Sequence, residues 1–254
     1  MTLTVNVQIN NREVTQAQLD HYYYQRALHV LHEMHDLGAT IEDSHGETLP
    51  ETAFDTLTPE VARQLLLDNK LRLGTGALKT LYADKLKESD QMWADMVAHS
   101  NGDYRQKVSR ALITVSGINI LKMGNFAKDA GDDPKVSLGA NPEHFEVTND
   151  ATGQHGMETM GMYGEPTAMD LTMKGVDAPE PVNKKYLKRL IGSSVLAHDP
   201  EIVNAYAMHQ IRPTLHGIEV LSGAYFPSAA PQALVDGHAI HLAIEFSNMF
   251  KSMN

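Results

Sequence analysis

Cysteine is absent from this 254-residue chain, which removes disulfides, thiolate nucleophiles and cysteine-built zinc sites and is compatible with a reducing compartment. No apolar run approaches the roughly 20 residues that a membrane span needs. The opening Met1-Thr-Leu-Thr-Val-Asn-Val lacks a basic segment followed by an apolar core, so no signal peptide is expected and a soluble, cytoplasmic protein is. Positive charge is also scarce. Against 32 Asp and Glu stand 21 Lys and Arg, a net charge of −11. Without a basic footprint to neutralise phosphates, neither nucleic acid nor an anionic membrane surface is an expected partner. Histidine, by contrast, is plentiful, with 13 residues. In a chain with no cysteine, a tight transition-metal site must be built from histidine and carboxylates. The remaining composition is that of a globular protein able to bury a core.

The first half reads mostly as helix. An alternating strand-like start, Leu3 to Ile9, leads to Thr15, a suitable N-cap, and to a helix over Gln16 to Leu37 that stops at Gly38. Leu19, Tyr23, Ala27, Val30, Met34 and Leu37 recur at helical spacing as its buried stripe. A polar loop covers Glu42 to Pro50. Thr58-Pro59-Glu60 is a helix start with proline in the first turn. Helix continues in pieces through Leu66, Leu78 to Lys87 and Met92 to His99, until Asn101-Gly102-Asp103 breaks it. Tyr104 to Lys122 reads as a further helix or two shorter ones, and the turn-rich Asp129 to Pro134 suggests a boundary. The expected division is a helical region, 1–130, followed by a sheet domain, 131–254.

The second half changes period. Phe145-Glu-Val, Met157 to Tyr163, Ala168 to Met173, Leu190 to Ala197, Val203 to Arg212 and Gly217 to Phe226 read as strands between turn residues. After Pro227 to Pro231 comes a last helix, about Gln232 to Met249. Strands followed by a long helix predict an α+β protein in which the helix lies across one face of an antiparallel sheet. A curved sheet gripping that helix would enclose a cavity suited to a small ligand.

On the last helix, Val235, Ala239, Leu242, Phe246 and Met249 form a core stripe, while Leu234, His238, His241, Glu245 and Asn248 form the other. His241 and Glu245 stand four residues apart, so both side chains leave one surface a turn apart and can reach one metal ion. The same spacing also fits a solvated helix face. Among the strands, Glu158 lies in a methionine-rich run and shares a strand face with Met160 and Met162. Pointing inward, it must be paired, protonated or on a metal; pointing outward, it is an ordinary surface carboxylate.

Five segments resemble the diacetylphloroglucinol/phloretin hydrolase family. Gly217-Ile-Glu-Val-Leu-Ser-Gly-Ala-Tyr-Phe, Pro231-Gln-Ala-Leu and His241-Leu-Ala-Ile-Glu245-Phe-Ser-Asn248-Met are similar to its C-terminal strand, Pro-led turn and His-x-x-x-Glu helix. Gln154-His-Gly-Met-Glu158-Thr-Met-Gly161 is similar to the strand that carries its other glutamate ligand. Pro142-Glu143-His144 resembles the segment that supplies a histidine. The resemblance spans roughly residues 140 to 250. It implies a helix-grip (Bet v 1-like) fold and a zinc site of two His and two Glu: His144, Glu158, His241 and Glu245. It also implies hydrolysis of a carbon–carbon bond between an acyl group and a phenolic ring. His155 competes with His144 for the first histidine position, although a regular strand would turn it away from Glu158. The family's tryptophan-rich stretch has no counterpart, since the single Trp, Trp93, lies in the helical half.

Such a donor set suits Zn²⁺ or another divalent first-row metal. The expected substrate is a small aromatic or 1,3-dicarbonyl compound, whose ketone the metal would polarise for attack by water. An acid must protonate the ring carbon that leaves, and Tyr163, His209 and Tyr225 are the candidates. Met157, Met160, Met162, Met169 and Met173 suit an aromatic ligand or serve as core filler.

Two other classes are in view. A helix-grip cavity can carry a hydrophobic aromatic ligand without chemistry. The pairs His29/Glu33 and His32/Asp36 on the first long helix would fit a His/carboxylate di-iron oxidase, which requires an all-helical fold; the other reading makes them solvated residues opposite the buried stripe. The helical half could cap the cavity or form a homodimer surface.

Overall fold

The computed structural model describes residues 2–118, 133–151, 153–173 and 175–252. The first strand, β1 (Thr4–Ile9), turns back into β2 (Arg12–Val14) through Asn10 and Asn11. Both asparagines have positive φ, 51° and 61°, a backbone that asparagine tolerates in two-residue hairpin turns. Helix α1 (Gln16–Asp36) opens with a reciprocal capping box between Thr15 and Gln18 and buries Leu19, Tyr23, Ala27, Val30 and Met34 as the spacing requires. Helix α2 (Pro59–Leu81) starts at the Thr58 cap with Pro59 in its first turn, and α3 (Ala83–Ala98) follows.

The chain then enters strand β3 (Lys107–Ser116), where the sequence suggests helix over Tyr104 to Lys122. Alternate residues Ser109, Ala111, Ile113 and Val115 are all buried, a period of two. Ser109 and Ala111 carry too little apolar surface to reveal it, and strand form is imposed by pairing with β1 on one side and β9 on the other. Residues 119–122 of the expected helix lie outside the described residues.

Helix α4 (Pro134–Ala140) leads to β4 (His144–Asn149), β5 (Gln154–Glu158), β6 (Thr167–Thr172), β7 (Lys188–Leu196), β8 (Val203–Thr214), β9 (Gly217–Phe226) and the final helix α5 (Gln232–Ser252). The result is α+β. Among the described residues, nine strands form one sheet in the order β2-β1-β3-β9-β8-β7-β6-β5-β4, with every neighbouring pair antiparallel. Strands from both sides of residue 130 belong to it. An all-helical di-iron architecture is thereby excluded.

Helix α5 packs on β1, β3 and β9, on α4, and on a 3₁₀ turn at Met160–Met162. Its surroundings bury Leu234, Val235, His238, Ala239, His241 and Leu242 alike, so neither stripe of its sequence faces solvent at this level. Trp93 fastens α3 to the sheet. Its indole N–H donates to Thr167 Oγ1 at 2.8 Å and its ring stacks on Phe226 with centroids 6.1 Å apart.

Candidate metal centre

Three side chains from distant parts of the chain converge: His144 at the start of β4, Glu158 at the end of β5 and His241 on α5. His144 and Glu158 are direct cross-strand partners, and a bulge after His144 inserts Phe145 before the regular ladder resumes at Glu146. The expected strand over Met157 to Tyr163 stops at Glu158. The chain then tightens into the Met160–Met162 turn, where Gly161 and Met162 both have positive φ, 67° and 54°. This turn removes Met160 and Met162 from the strand face assigned to Glu158.

It also brings Glu158 to α5. A β-carbon on Gly237 would occupy the position of the Gly161 carbonyl, and one on Gly161 would collide with the Leu234 carbonyl and His238 amide. Two glycines thus permit backbone contact between turn and helix. His241 lies one helical turn beyond Gly237. From the other side, Asn141 donates to the His241 carbonyl at 3.3 Å and Asn248 to the Ala140 carbonyl at 2.9 Å, tying the α4–β4 junction to α5.

The donor atoms lie at 3.0 Å for His144 Nε2 to His241 Nε2, 3.5 Å for His144 Nε2 to Glu158, and 3.9 Å for His241 Nε2 to Glu158. Charge-assisted hydrogen bonds are shorter than the two carboxylate distances. Donors arranged tetrahedrally about 2.0–2.1 Å from a zinc ion stand about 3.3 Å apart, and the three separations bracket that value. The His144 ring is oriented for ligation. Its Nδ1 faces the Ser137 carbonyl at 2.8 Å, so Nδ1 carries the proton and Nε2 presents a lone pair. Burial holds both imidazoles neutral, lowering His144 to about 4 and His241 well below its ordinary value. Burial, reinforced by the charges of Glu245 and Glu143, raises Glu158 to about 8. A buried carboxylate beside two neutral histidines fits a cation between them. The side chains of His144 and His241 are 4% and 1% exposed and that of Glu158 is 19% exposed, so approach from outside is on the Glu158 side.

The structure places the other expected residues less uniformly. Glu245, half-buried and raised to about 7 by burial, lies close enough to perturb Glu158 electrostatically. It is not among the three whose donor atoms converge. His155 is turned away, with its ring nitrogens on Asp170 at 2.7 Å and Asp150 at 3.1 Å. His209 is on the α5 face of the sheet, where Nδ1 meets Ser222 Oγ at 2.8 Å and the ring sits edge-on to Phe246 with centroids 5.2 Å apart. Burial lowers it to about 4. Tyr163 packs, half-buried, beside the core just after the Met160–Met162 turn. Tyr225 is not brought to the cluster. Ser109 bonds the Val235 carbonyl of α5 and pairs with Ala224, so Ala224 faces the helix and Tyr225 faces the other way, bonded to Arg110 and Glu180. Of the methionines, Met157, Met160 and Met169 are core residues, whereas Met173 is 47% exposed.

The sequence assigns no site role to His238, although it shares the His241 stripe, and does not single out Lys70. His238 is buried, stacks on His241 at 4.9 Å and meets the edge of Phe226 at 5.1 Å. Lys70 is buried on α2 together with Ala62, Leu65, Leu66 and Asn69. That helical spacing was the available signal, a lysine in the row of a buried stripe. On α1, His32 lies between Glu51 and Asp55, each 3.0 Å away, and Glu33 accepts from the Tyr82 hydroxyl at 2.9 Å. His29 and Asp36 are exposed, as the solvated-face reading expects, whereas His32 and Glu33 are half-buried. A second group, His35, Asp36 and Glu51, is largely exposed.

Neither a protein-family model nor a curated protein matches the sequence. The chemistry is therefore read from the donor set. Because Glu158 keeps its proton up to about 8 and ligation requires the carboxylate, zinc uptake near pH 6 is expected to release about one proton. Affinity should rise with pH towards about 8. His144, already neutral above about 4, adds none. Calorimetry in two buffers of different ionisation heat counts the protons, and a count near zero would remove Glu158 from the ligand set.

Proposed function

We propose that the protein is a divalent-metal-dependent hydrolase, with zinc the favoured ion, that cleaves the bond between an acyl carbon and an electron-rich phenolic ring. The observation that carries the metal part of this reading is the convergence of His144, Glu158 and His241. Glu245 lies close by as a fourth, variable donor. The acyl-phenol part rests on the resemblance of residues 140–250. On this reading the sheet with α5 across it is a helix-grip fold working in the cytoplasm.

A bound zinc ion would supply Lewis-acid polarisation of the substrate ketone. The chain itself orients and neutralises. Ser137 fixes the His144 tautomer, and burial keeps both rings uncharged. In the net reaction a water hydroxyl joins the acyl carbon, the carbon–carbon bond breaks with its electron pair moving to the ring carbon, and that carbon takes a proton. In the form where it is off the metal, Glu245, raised to about 7 by burial, holds that proton near neutral pH. Tyr163 is the remaining donor on offer; His209, lowered to about 4 by burial, is neutral at pH 7 and a poor acid. The Tyr225 hydroxyl, on the far face, has no part in it.

The test is an ultraviolet assay on acylated polyphenols and 1,3-dicarbonyls, with and without chelator. Turnover that chelator abolishes and zinc restores is the expected result. Stoichiometric zinc without turnover of either class would overturn the hydrolase reading and leave a metal protein. Tight aromatic binding without metal would favour a carrier.

A further inference from the structure

Among the described residues, strand β4 ends the nine-stranded sheet, so the strand that carries His144 has a neighbouring strand on one side only. Just before the β4–β5 ladder, the Glu143 carbonyl accepts from the Thr159 amide at 3.2 Å. The Pro142 carbonyl, in the turn before β4, and the His144 carbonyl, at its first residue, both face Lys70 of α2. Its ammonium donates to the Pro142 carbonyl and, at 2.7 Å, to the His144 carbonyl, and it stands 4.5 Å from the centroid of the Phe145 ring. The residue is 1% exposed. Two more cations from the helices grip the neighbouring side chains. Arg26 of α1 pairs with the buried Glu143, and Lys79 of α2 pairs with Glu146 at 2.6 Å. Five consecutive residues, 142–146, with His144 at their centre, are thus held by three basic side chains from α1 and α2.

We propose that Lys70 is a positioning residue for the metal ligand His144, and that the Arg26–Glu143 and Lys79–Glu146 pairs complete a basic clamp through which the N-terminal helices set the geometry of the site. The proposal rests on the metal-site reading. A lysine suits the task because one ammonium serves two carbonyls at once. A hydrogen-bonded partner behind a ligand typically changes metal affinity by about 10–100-fold when removed.

The experiment compares wild type, Lys70→Met and Lys79→Met. It measures zinc affinity by competition, the visible spectrum of the cobalt-substituted protein, and the His144 ring signals in long-range ¹⁵N–¹H spectra of the metal-free protein. In Lys70→Met, zinc affinity is expected to fall about 10–100-fold, with an altered cobalt spectrum and shifted His144 ring signals as the ring moves relative to the Ser137 carbonyl. Lys79→Met, at a more exposed position, should lose a few-fold. A folded Lys70→Met protein with wild-type affinity and cobalt spectrum overturns the proposal. If Lys70→Met does not fold, Lys79→Met decides, and wild-type affinity there overturns the clamp. If wild type itself takes up neither metal, the metal-site reading fails, and the metal-free spectra judge the clamp separately. Unchanged His144 signals in Lys70→Met then overturn it, and altered signals sustain Lys70 as the residue that positions His144.

Discussion

His241→Ala is expected to purify folded and free of stoichiometric zinc. His241 provides one of the three donors that converge. Spread over its ligands, the binding free energy of a structural-type zinc site makes each worth on the order of 3 kcal/mol, so affinity should drop about a hundredfold or more. The fold should tolerate the change better than most deletions of a buried ring. The His241 Nδ1 atom is buried without a hydrogen-bond partner among the described residues, so truncation also removes an unsatisfied group, which offsets part of the lost packing. The clearest signature is in thermal unfolding. Zinc at about a thousand times its Kd stabilises a specific site by roughly 4 kcal/mol, and in the variant that shift should vanish. Glu245→Gln should retain zinc with a smaller loss, because its carboxylate is outside the converging trio. Full zinc content in His241→Ala would sink the site. A loss in Glu245→Gln as large as in His241→Ala would show a fourth obligatory ligand.

Gly237→Ala should be the most damaging one-carbon change on α5. A methyl group there must occupy the place of the Gly161 carbonyl, which is backbone and cannot swing aside. The helix and the Met160–Met162 turn must separate, and with them His241 and Glu158. Overpacking of a well-filled contact costs about 1–3 kcal/mol, against which the better helix propensity of alanine returns roughly 1 kcal/mol. A modest net destabilisation is therefore expected, together with a disproportionate loss of zinc affinity, since donor spacing matters on a scale of tenths of an ångström. Chemical denaturation and zinc competition on the same sample separate the two effects. A Gly237→Ala protein with unaltered metal binding would mean that the turn does not set the distance between Glu158 and the helix.

Much of this architecture is legible in the chain, for reasons that differ from one element to the next. The ends of α1 and α2 are written in Thr15, Gln18, Thr58 and Pro59, whose side chains satisfy amides or fit a first turn. The last helix is legible from its period. The strand at 107–116 is not, because Ser109 and Ala111 hide the alternation and its neighbours come from positions 4–9 and 217–226. Glu158 could be suspected as a carboxylate among methionines. The abrupt turn after it could not, since nothing marks Met162 for a positive φ. His144 and His155 compete in the sequence on spacing alone, and the bulge at Phe145 sets His144 opposite Glu158. Lys70 escapes notice because lysine is ordinarily a surface residue, and only tertiary contacts with a strand more than seventy positions away explain its burial.

The two borders of the sheet differ in kind. At one, β2 is three residues long and exposes Arg12 and Glu13, a charged stub that discourages further pairing. At the other, the ligand-bearing start of β4 is shielded by side chains from α1 and α2. Mutations that loosen those helices would uncover the start of an edge strand, a template for intermolecular association. Damage to the N-terminal third of the chain should therefore show itself as aggregation as well as weakened metal binding, even though none of its residues belongs to the His144, Glu158 and His241 cluster.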